Sequence, residues 1–554
     1  MNKAIFKYTV TILLGTLCFT TQAIDVTIKS DDSDAKATAE FKKLLKEGGT
    51  ITFEKGSWTI HLPKNVAKAK ADFTINGANK IGSDETVMGA YEDKKLIKTT
   101  IAFTGSPIEI TKTCKNVSIS NIKWDQAGLR GERFHEPVLN LENVFFDCKN
   151  WTARHWAKVV LSMPDGCSGK ISHVSFKSYG YSGLWLNRSV AKGVYPTVSR
   201  GKLIIDRCYF EPDEKSKRGQ SSALSHDAGN DEYAPTWNHN GTVVSNSKFV
   251  DTRFSISKGS NMIFTNNIMI CELSKKEPFH LEEFTNNIDV TNNRFIFKGD
   301  KAFQVMSLGA TATCFDINIT GNVIENNGKL ERFISASGAH NITINSNKII
   351  NPVPGTEYVT FWGCNNTDIK IGTDGNPQPG IDGAYSKVSN TKCKQVIESG
   401  TYFIQWESGE YLALVDGVVK FLKSKKLPTS DQFKWKISYD YSSKLGSYYL
   451  IQNQNKDKFY LEVYKGPTKP EQDANLGKPY VLFEEFVLVE AKGDYRDLER
   501  APGFSIHQKD GKYALLPGGN ERKSQIIKNN DQAIVSIVKN HKDSNYQWVL
   551  NKVE

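Results

Sequence analysis

A repeat of short β-branched segments that contain asparagine restricts the possible folds of this chain more than any other pattern. These segments are Val244–Phe249, Phe264–Met269, Val290–Phe295, Ile319–Ile324 and Ile344–Ile349. Stacking them places four asparagines in one column, at spacings of 26, 29 and 25 residues: Asn267, Asn293, Asn322 and Asn347. This period suits one coil of a parallel β-helix, where amides hydrogen-bond along the stack at a strand spacing of roughly 4.8 Å. A solvated Asn-rich loop would not keep such a period.

The repeat extends upstream through segments such as Val117–Trp124 and Leu203–Phe210. We therefore predict an all-β chain whose residues 24–371 form a right-handed, single-stranded parallel β-helix. Near its start, Ala39–Lys46 has the pattern of a short amphipathic helix, which would cover the open end of the solenoid as terminal repeats must. The Gly- and Pro-containing stretch 372–398 predicts a linker.

A different, threefold repeat occupies residues 399–554. Its units begin at Tyr402-Phe-Ile-Gln, Tyr449-Leu-Ile-Gln and Phe504-Ser-Ile-His, and each closes on an aromatic strand. Threefold repetition over this length resembles a ricin-type β-trefoil, and Gln547-Trp548 is similar to the tail of its Q-x-W signature. The resemblance implies a carbohydrate-binding domain with a bound glycan as partner.

The first residues resemble an export signal. Lys3 and Lys7 precede an apolar run, and small residues follow up to Ala23, which is the pattern of a signal peptide over residues 1–23 cleaved after Ala23. No later segment is long and apolar enough to predict a membrane-spanning helix. We expect a secreted or periplasmic protein that does not enter a membrane.

The net charge and the cysteine spacing limit which partners and cofactors we expect. The formal net charge is +10, which favours a polyanionic partner, but no recognition motif or basic run suggests nucleic acid. The cysteines outside the leader form none of the close C-x-x-C pairs typical of zinc sites, and they read as buried thiols. The expected partner is an acidic polysaccharide bound by a monomer.

Polar residues cluster on one stacked sheet of the predicted solenoid. Alternation along the strands predicts two outward columns. One holds Trp185, Ser255, His280 and Gln304, and the other holds Asn187, Ser225, Ser257 and Glu282. Four further residues stand where the chain turns away from this sheet: Arg188, His226, Lys258 and Glu283. An outward groove with these side chains suits a polymer with a repeating unit.

The segments around this groove resemble polysaccharide lyase family 6, which contains alginate lyases and chondroitinase B. The similar stretches are Val160–Gly166, Ile171–Phe176, Gly183–Arg188 and Ser257–Asn261. The resemblance implies the same β-helix, Lys258 as catalytic base and Asn187 as a calcium-binding residue. The acidic calcium ligands would fall at Asp251 and Arg253, and the catalytic arginine at Glu283. Because two of these positions depart from the family pattern, we expect no cofactor, with calcium as the possible exception.

The lyase hypothesis therefore predicts β-elimination on a uronate-containing polysaccharide such as alginate or dermatan sulfate. Elimination requires a neutralised carboxylate, a base and an acid that reaches the leaving oxygen. Lys258 would be the base, Arg253 or Arg188 would neutralise the carboxylate, and His226 or His280 would donate the proton. Substrate contacts would come from Trp185 and Gln304.

Two alternatives stay open at the level of sequence. One is a glycoside hydrolase on the same scaffold, with Glu282 or Glu283 paired with Asp227. These rows lie two coils apart, about 10 Å on the strand spacing, near the upper end of the carboxylate separation of inverting enzymes. The other is a non-catalytic protein that binds glycan.

Overall fold

The structure, a computed structural model, describes most of the solenoid and part of the C-terminal region. The described residues are 23–63, 67–78, 97–105, 107–132, 135–149, 151, 158–164, 166–187, 202–218, 221–227, 241–257, 259–273, 277–282, 285–299, 304–309, 314–327, 330–336, 339–351, 357–361, 367–372, 388–389, 396–416, 418–442, 446–454, 459–464, 480–485, 504–517, 524–529, 532–537 and 546–553. The predicted leader, apart from Ala23, lies outside them.

The solenoid is a parallel β-helix, as predicted, and each coil contributes strands to three faces. Face A is a sheet of twelve parallel strands. Its strands are Ala67–Ala69, Ile108–Ile110, Leu129–Gly131, Val159–Pro164, Ser182–Asn187, Ser222–Asp227, Arg253–Ser257, Phe279–Glu282, Gln304–Leu308, Arg332–Ala336, Glu357–Phe361 and Val388–Ser389. The last of these pairs with Val359 and Thr360, so face A continues into the stretch predicted as a linker.

Faces B and C together form a 22-stranded parallel sheet. Face B contains Ile24–Ile28, Gly49–Phe53, Phe73–Asn76, Ser168–Ser172, Leu203–Asp206, Val243–Ser245, Ser260–Thr265, Asn286–Thr291, Cys314–Thr320, Ala339–Asn345 and Thr367–Ile371. Face C contains Gly56–His61, Thr99–Thr104, Ser175–Tyr179, Tyr209–Pro212, Lys248–Val250, Ile268–Cys271, Arg294–Phe297, Val323–Asn326 and Lys348–Ile350. Two long strands, Asn116–Asp125 and Val138–Asp147, bend at Asn121 and Asn143 and belong to both faces.

The predicted asparagine column is confirmed as a buried ladder at the corner between faces B and C. Asn267 Nδ2 donates to Asn293 Oδ1 at 3.0 Å, and the same contact repeats from Asn293 to Asn322 and from Asn322 to Asn347. Each amide also donates to a carbonyl of the preceding coil, as Asn293 does to Phe264 at 2.9 Å. The ladder therefore satisfies backbone groups that the corner would leave unpaired.

The interior is a single apolar column filled by the inward residues of all three faces. Aromatic rings stack along face C from Trp124 through Phe146, Phe176 and Phe210 to Phe249, with centroid distances between 4.5 and 6.1 Å. The six described cysteines are free and buried within or beside this core, as predicted. Burial raises the pKa of the Cys208 thiol to about 12, which makes it unreactive at neutral pH.

The N-terminal capping helix is confirmed and is longer than predicted, spanning Asp34–Glu47. Ser33 caps it by accepting a hydrogen bond from Lys36 N, and the buried Phe41 packs edge-on against Phe103 at 5.4 Å. Gly49 follows at φ 114°, where a Cβ would lie 2.0 Å from the carbonyl oxygen of Ile24. Within the described residues, no helix has the length and apolar character needed to cross a membrane.

The C-terminal region is a separate antiparallel sheet of twelve strands. They are Gly400–Trp406, Glu410–Val415, Val418–Lys423, Lys434–Ser442, Gly446–Asn453, Phe459–Tyr464, Tyr480–Glu485, Phe504–Lys509, Lys512–Pro517, Ser524–Asn529, Gln532–Ile537 and Trp548–Lys552. Its first strand pairs with its last, Ile404 opposite Leu550, around a core that includes Trp435 and Trp548. The trefoil symmetry itself stays a prediction.

Candidate functional site

Four charged side chains meet on the outer surface of face A. His280 lies between two carboxylates: its Nδ1 is 2.5 Å from Glu277 Oε1, and its Nε2 is 3.0 Å from Glu282 Oε2. Arg253 Nη1, from the preceding coil, lies 3.6 Å from the same Glu277 oxygen. The chain of contacts runs from Arg253 through Glu277 and His280 to Glu282. We call these four residues the histidine cluster.

Strand alternation explains why these side chains share one surface. Phe279 and Leu281 point into the core and are fully buried, so His280 and Glu282 point outward from the same strand. Glu277 precedes the strand, and the next residue, Pro278, accepts a hydrogen bond at 2.7 Å from Phe254 N. That bond holds the Glu277 backbone against the strand that carries Arg253.

The electrostatics of the cluster favour a charged imidazole. Burial lowers the pKa of His280, but its hydrogen bonds to Glu277 and Glu282 outweigh burial and raise the pKa to about 9. Burial raises the pKa of Glu277, but the hydrogen bond to His280 and the charge of Arg253 hold the pKa of that carboxyl below its ordinary value. At neutral pH the cluster thus contains two cations and two carboxylates.

Small hydroxyl residues flank His280 along face A. The register places Ser255 on one side and Ser307 on the other, and Ser335 and Thr360 continue the column. Three strands earlier in the column stands Trp185, half-buried, with its ring edge toward Tyr181 at a centroid distance of 5.9 Å. The groove floor beside the cluster is therefore lined by hydroxyl groups.

His226 does not face the groove, in contrast to the prediction that placed it where the chain turns. It pairs with Leu186 and Ile256, is 1% exposed, and its Nδ1 lies 2.9 Å from the carbonyl oxygen of Ser257. The predicted column set Ser225 opposite Asn187, whereas Asp227 lies opposite Asn187 and His226 lies opposite Leu186. A shift of two residues preserves hydrophobic alternation, so alternation alone does not detect it.

Gln304 and Ser225 also occupy rows other than those predicted. Ser307, not Gln304, lies opposite His280, and Gln304 pairs with Arg332. All five residues of Gln304–Leu308 are buried, so this strand has no polar alternation from which to read its register. Ser225 pairs with Trp185 instead of sharing the column of Asn187.

The two residues suggested for calcium do not fit one site. Asn187 ends its strand on face A, in the column of Asp227 and Ser257, and its amide nitrogen donates to Ser162 Oγ at 3.1 Å. Asp251 precedes the opposite end of a face A strand, and its Oδ1 accepts from the backbone nitrogens of Glu272 and Leu273. In the part of the chain that the structure describes, no three His, Cys, Asp or Glu residues cluster to hold a metal.

Several predicted site residues lie outside the described residues: Arg188, Lys258 and Glu283. Only the backbone of Asp227 is described, and the register places it opposite Ser257, which in turn lies opposite Glu282. The backbones of Asp227 and Glu282 therefore occupy the same register column, two strand spacings apart. This distance between the two backbones is roughly 9–10 Å.

Glu277 is the one member of the histidine cluster that the sequence pattern does not predict. It lies before the strand and outside the period-2 pattern, so alternation assigns it to no column. A signal was present in the spacing Glu277-x-x-His280-x-Glu282, where two acids bracket one histidine. Its burial, with a side chain 6% exposed, becomes visible only in the folded chain.

These features define the class of the chain as a parallel β-helix with a polar groove on one face and a charged cluster in its floor. No family model matches the chain, and no curated protein matches it. Among solved structures it is similar to the Agl-KA catalytic domain, with a TM-score of 0.41 and 12% identity over 63% of this chain and 65% of that one.

Two further solved structures show similarities of the same size. One is a PL6 alginate lyase in complex with a trisaccharide, with a TM-score of 0.37 and 10% identity over 72% of this chain and 91% of that one. The other is the catalytic domain of a GH87 α-1,3-glucanase with tetrasaccharides, with a TM-score of 0.41 and 13% identity over 67% and 68%.

Proposed function

We propose that this protein hydrolyses glycosidic bonds of a polysaccharide bound on face A, by an inverting mechanism. The observation that carries this proposal is the column shared by Asp227 and Glu282, with the protonated His280 beside Glu282. Inverting glycosidases place two carboxyl groups about 6.5–9.5 Å apart to admit a water molecule. Two strand spacings of a β-helix approach this separation.

Glu282 would act as the general base. A carboxylate that accepts a hydrogen bond from a cation is held in its ionised form, and His280 supplies that bond at 3.0 Å. Glu282 takes a proton from water as the water oxygen forms a bond to the anomeric carbon. The bond between that carbon and the glycosidic oxygen breaks, and Asp227 as general acid gives its proton to the leaving oxygen.

The charge balance of the cluster favours hydrolysis over elimination. Removing a proton beside a uronate carboxylate requires a cation directed at that carboxylate. The charges of Arg253 and His280 are directed at Glu277 and Glu282 instead, so the described part of the groove carries no excess positive charge. Its hydroxyl-lined floor suits sugar hydroxyls as well as acidic substituents.

Elimination is the second candidate, and the position of Lys258 favours it. In the sequence, Lys258 directly follows Ser257, which is the register partner of Glu282. In this version Lys258 takes the proton next to the uronate carboxylate. The pair of His280 and Glu282 then returns a proton to the leaving glycosidic oxygen as that bond breaks.

One experiment separates the two reactions. The protein is incubated with alginate, chondroitin and dermatan sulfates, pectate, fucoidan and neutral glucans, while reducing ends and ultraviolet absorbance of unsaturated uronate are followed together. Hydrolysis predicts reducing ends without absorbance and an inverted anomer by proton NMR. A joint rise of both signals selects elimination, and saturable binding without turnover selects the non-catalytic alternative.

Matched variants assign the roles on whichever polymer is cleaved. Glu282→Gln and Asp227→Asn should each lower kcat by about 10²–10⁴-fold, the usual contribution of a general acid or base. Glu325→Gln is the control, because Glu325 pairs with Arg294 on face C. If Lys258→Met abolishes turnover while Asp227→Asn does not, the base is the lysine and the hydrolase assignment is wrong.

A further inference from the structure

The most buried carboxylate of the histidine cluster belongs to Glu277. Its side chain is 6% exposed, compared with 18% for Glu282. A single oxygen, Oε1, lies within reach of both His280 Nδ1 and Arg253 Nη1. At this depth Glu277 does not meet a sugar in the groove, so any part it takes in a reaction passes through His280.

The backbone around Glu277 is held in place by the solenoid itself. Pro278 accepts the hydrogen bond from Phe254 N, and the Phe279 ring packs against Phe254 at 4.8 Å. The Glu277 carboxylate therefore contacts His280 of its own coil and Arg253 of the coil before it. A residue held in this way can fix the orientation of a catalytic group that it contacts.

The two contacts of His280 define its protonation state by geometry. A neutral imidazole has one N–H donor and one acceptor nitrogen. Both ring nitrogens of His280 lie within hydrogen-bond distance of carboxylate oxygens, which only accept. Both contacts are therefore satisfied only by an imidazolium, and removal of either carboxylate removes that requirement.

We propose that Glu277 is a positioning residue for the reaction on face A: it holds His280 as an imidazolium, whose Nε2–H in turn orients the Glu282 carboxylate. This inference rests on the proposed function for its catalytic meaning, but the link between Glu277 and His280 stands apart from it. The other described residues beside His280 are uncharged, namely Ser255 and Ser257 on the preceding strand and Ser307 on the following one. Lys258 and Glu283, near in the chain, lie outside the described residues.

The test compares Glu277→Gln with the unaltered full-length chain. Histidine labelled with ¹³C at Cε1 is followed by NMR across pH, and His280→Asn identifies the resonance. We expect the His280 titration to move down by one unit or more in Glu277→Gln, a change of about tenfold or more in proton affinity. The alkaline limb of kcat should move down with it, while KM stays within about twofold, since Glu277 does not touch substrate.

Controls keep the outcomes distinct. Glu325→Gln, on face C, should leave the His280 titration unchanged, and Glu277→Asp should restore part of the shift because the charge is kept. An unchanged His280 titration in Glu277→Gln overturns the positioning role. A shifted titration without turnover of any polymer by the unaltered chain leaves the link between Glu277 and His280 in place and overturns the proposed function instead.

Discussion

At the scale of residues, the site depends on how buried charges compensate one another. Glu277 and Arg253 are both largely buried, and burial of an unpaired charge is costly. The cluster reduces that cost because each cation faces a carboxylate and each carboxylate accepts a charged hydrogen bond. The arrangement also commits both His280 nitrogens to carboxylates, which excludes His280 as a base at neutral pH. In the proposed hydrolysis its contribution is to orient the Glu282 carboxylate.

The raised pKa of His280 predicts a pH-dependent stability. The ordinary pKa is 6.5 and the folded value is about 9, so the stabilisation is fully present below pH 6.5 and is lost as pH rises through about 9. We expect the advantage of the unaltered chain over His280→Gln to shrink by roughly 3 kcal/mol across this window, at about 1.4 kcal/mol per pKa unit. Chemical denaturation at both ends of the window measures it.

The carboxyl of Glu277 gives the opposite dependence. Because its folded pKa is lowered from 4.5, its contribution is present above pH 4.5 and is lost as pH falls through the lowered pKa. Glu277→Gln should therefore differ least from the unaltered chain at acid pH. The measurement is the free energy of unfolding of His280→Gln and Glu277→Gln relative to the unaltered chain. If either difference is the same at all pH values, the residue concerned does not titrate as described.

At the scale of elements, the corner between faces B and C is stabilised by the asparagine ladder. Asn293 is 1% exposed, accepts from Asn267 N and Nδ2, and donates to Phe264 O and Asn322 Oδ1. Such a side chain compensates buried groups in three coils at once. The neighbouring face B amide of Asn318 instead lies half-buried, 3.1 Å from Asp289 Oδ1.

This difference predicts unequal costs for two Asn→Ala changes. Asn293→Ala should lower the free energy of unfolding by about 3–5 kcal/mol, because each buried group left unsatisfied costs about 1–3 kcal/mol. Asn318→Ala should cost less than about 1 kcal/mol, since its contacts with Asp289 and Thr320 are half-buried and water replaces them. Urea unfolding of both variants tests the ladder, and equal losses would show that the corner does not depend on it.

The sequence predicts the register of some strands and not of others. The asparagine column could be predicted because Asn recurs at a solenoid period. The register of face A could not be predicted in the same way. The true register of the strand that contains His226 differs from the predicted one by two residues, which places His226 inward and leaves the hydrophobic alternation unchanged. Gln304–Leu308, buried throughout, carries no alternation at all. Register there depends on packing between coils that are distant in sequence.

At the scale of the whole molecule, the buried residues divide into separate cores. The solenoid core contains residues from Ile24 to Ile371, and the C-terminal sheet has its own clusters between Ile397 and Leu550. Val388–Ser389 pairs with face A, so a truncation that respects the solenoid keeps residues up to 389. Separate cores favour folding of the solenoid without the C-terminal sheet.

Truncation after Ser389 should therefore leave the thermal unfolding midpoint of the solenoid within a few degrees. If the C-terminal sheet binds glycan, as its resemblance to a trefoil implies, the truncated chain should lose affinity for long polymers and keep its activity on short oligosaccharides. Calorimetry and binding to immobilised polymer test the two parts. If the truncated chain loses activity equally on long polymers and short oligosaccharides, the C-terminal sheet does not tether the polymer.

The repeat, the solenoid, its capping helix and the asparagine ladder could be predicted from the sequence. They depend on short local patterns and on a period that recurs from coil to coil. The sequence also indicated that His280 and Glu282 point to the same side of one strand. The folded chain was needed to show which rows face one another, that His226 is buried, and that Glu277 contacts Arg253 and His280. Those outcomes depend on contacts between coils and on burial, and neither is a property of any short segment of the chain.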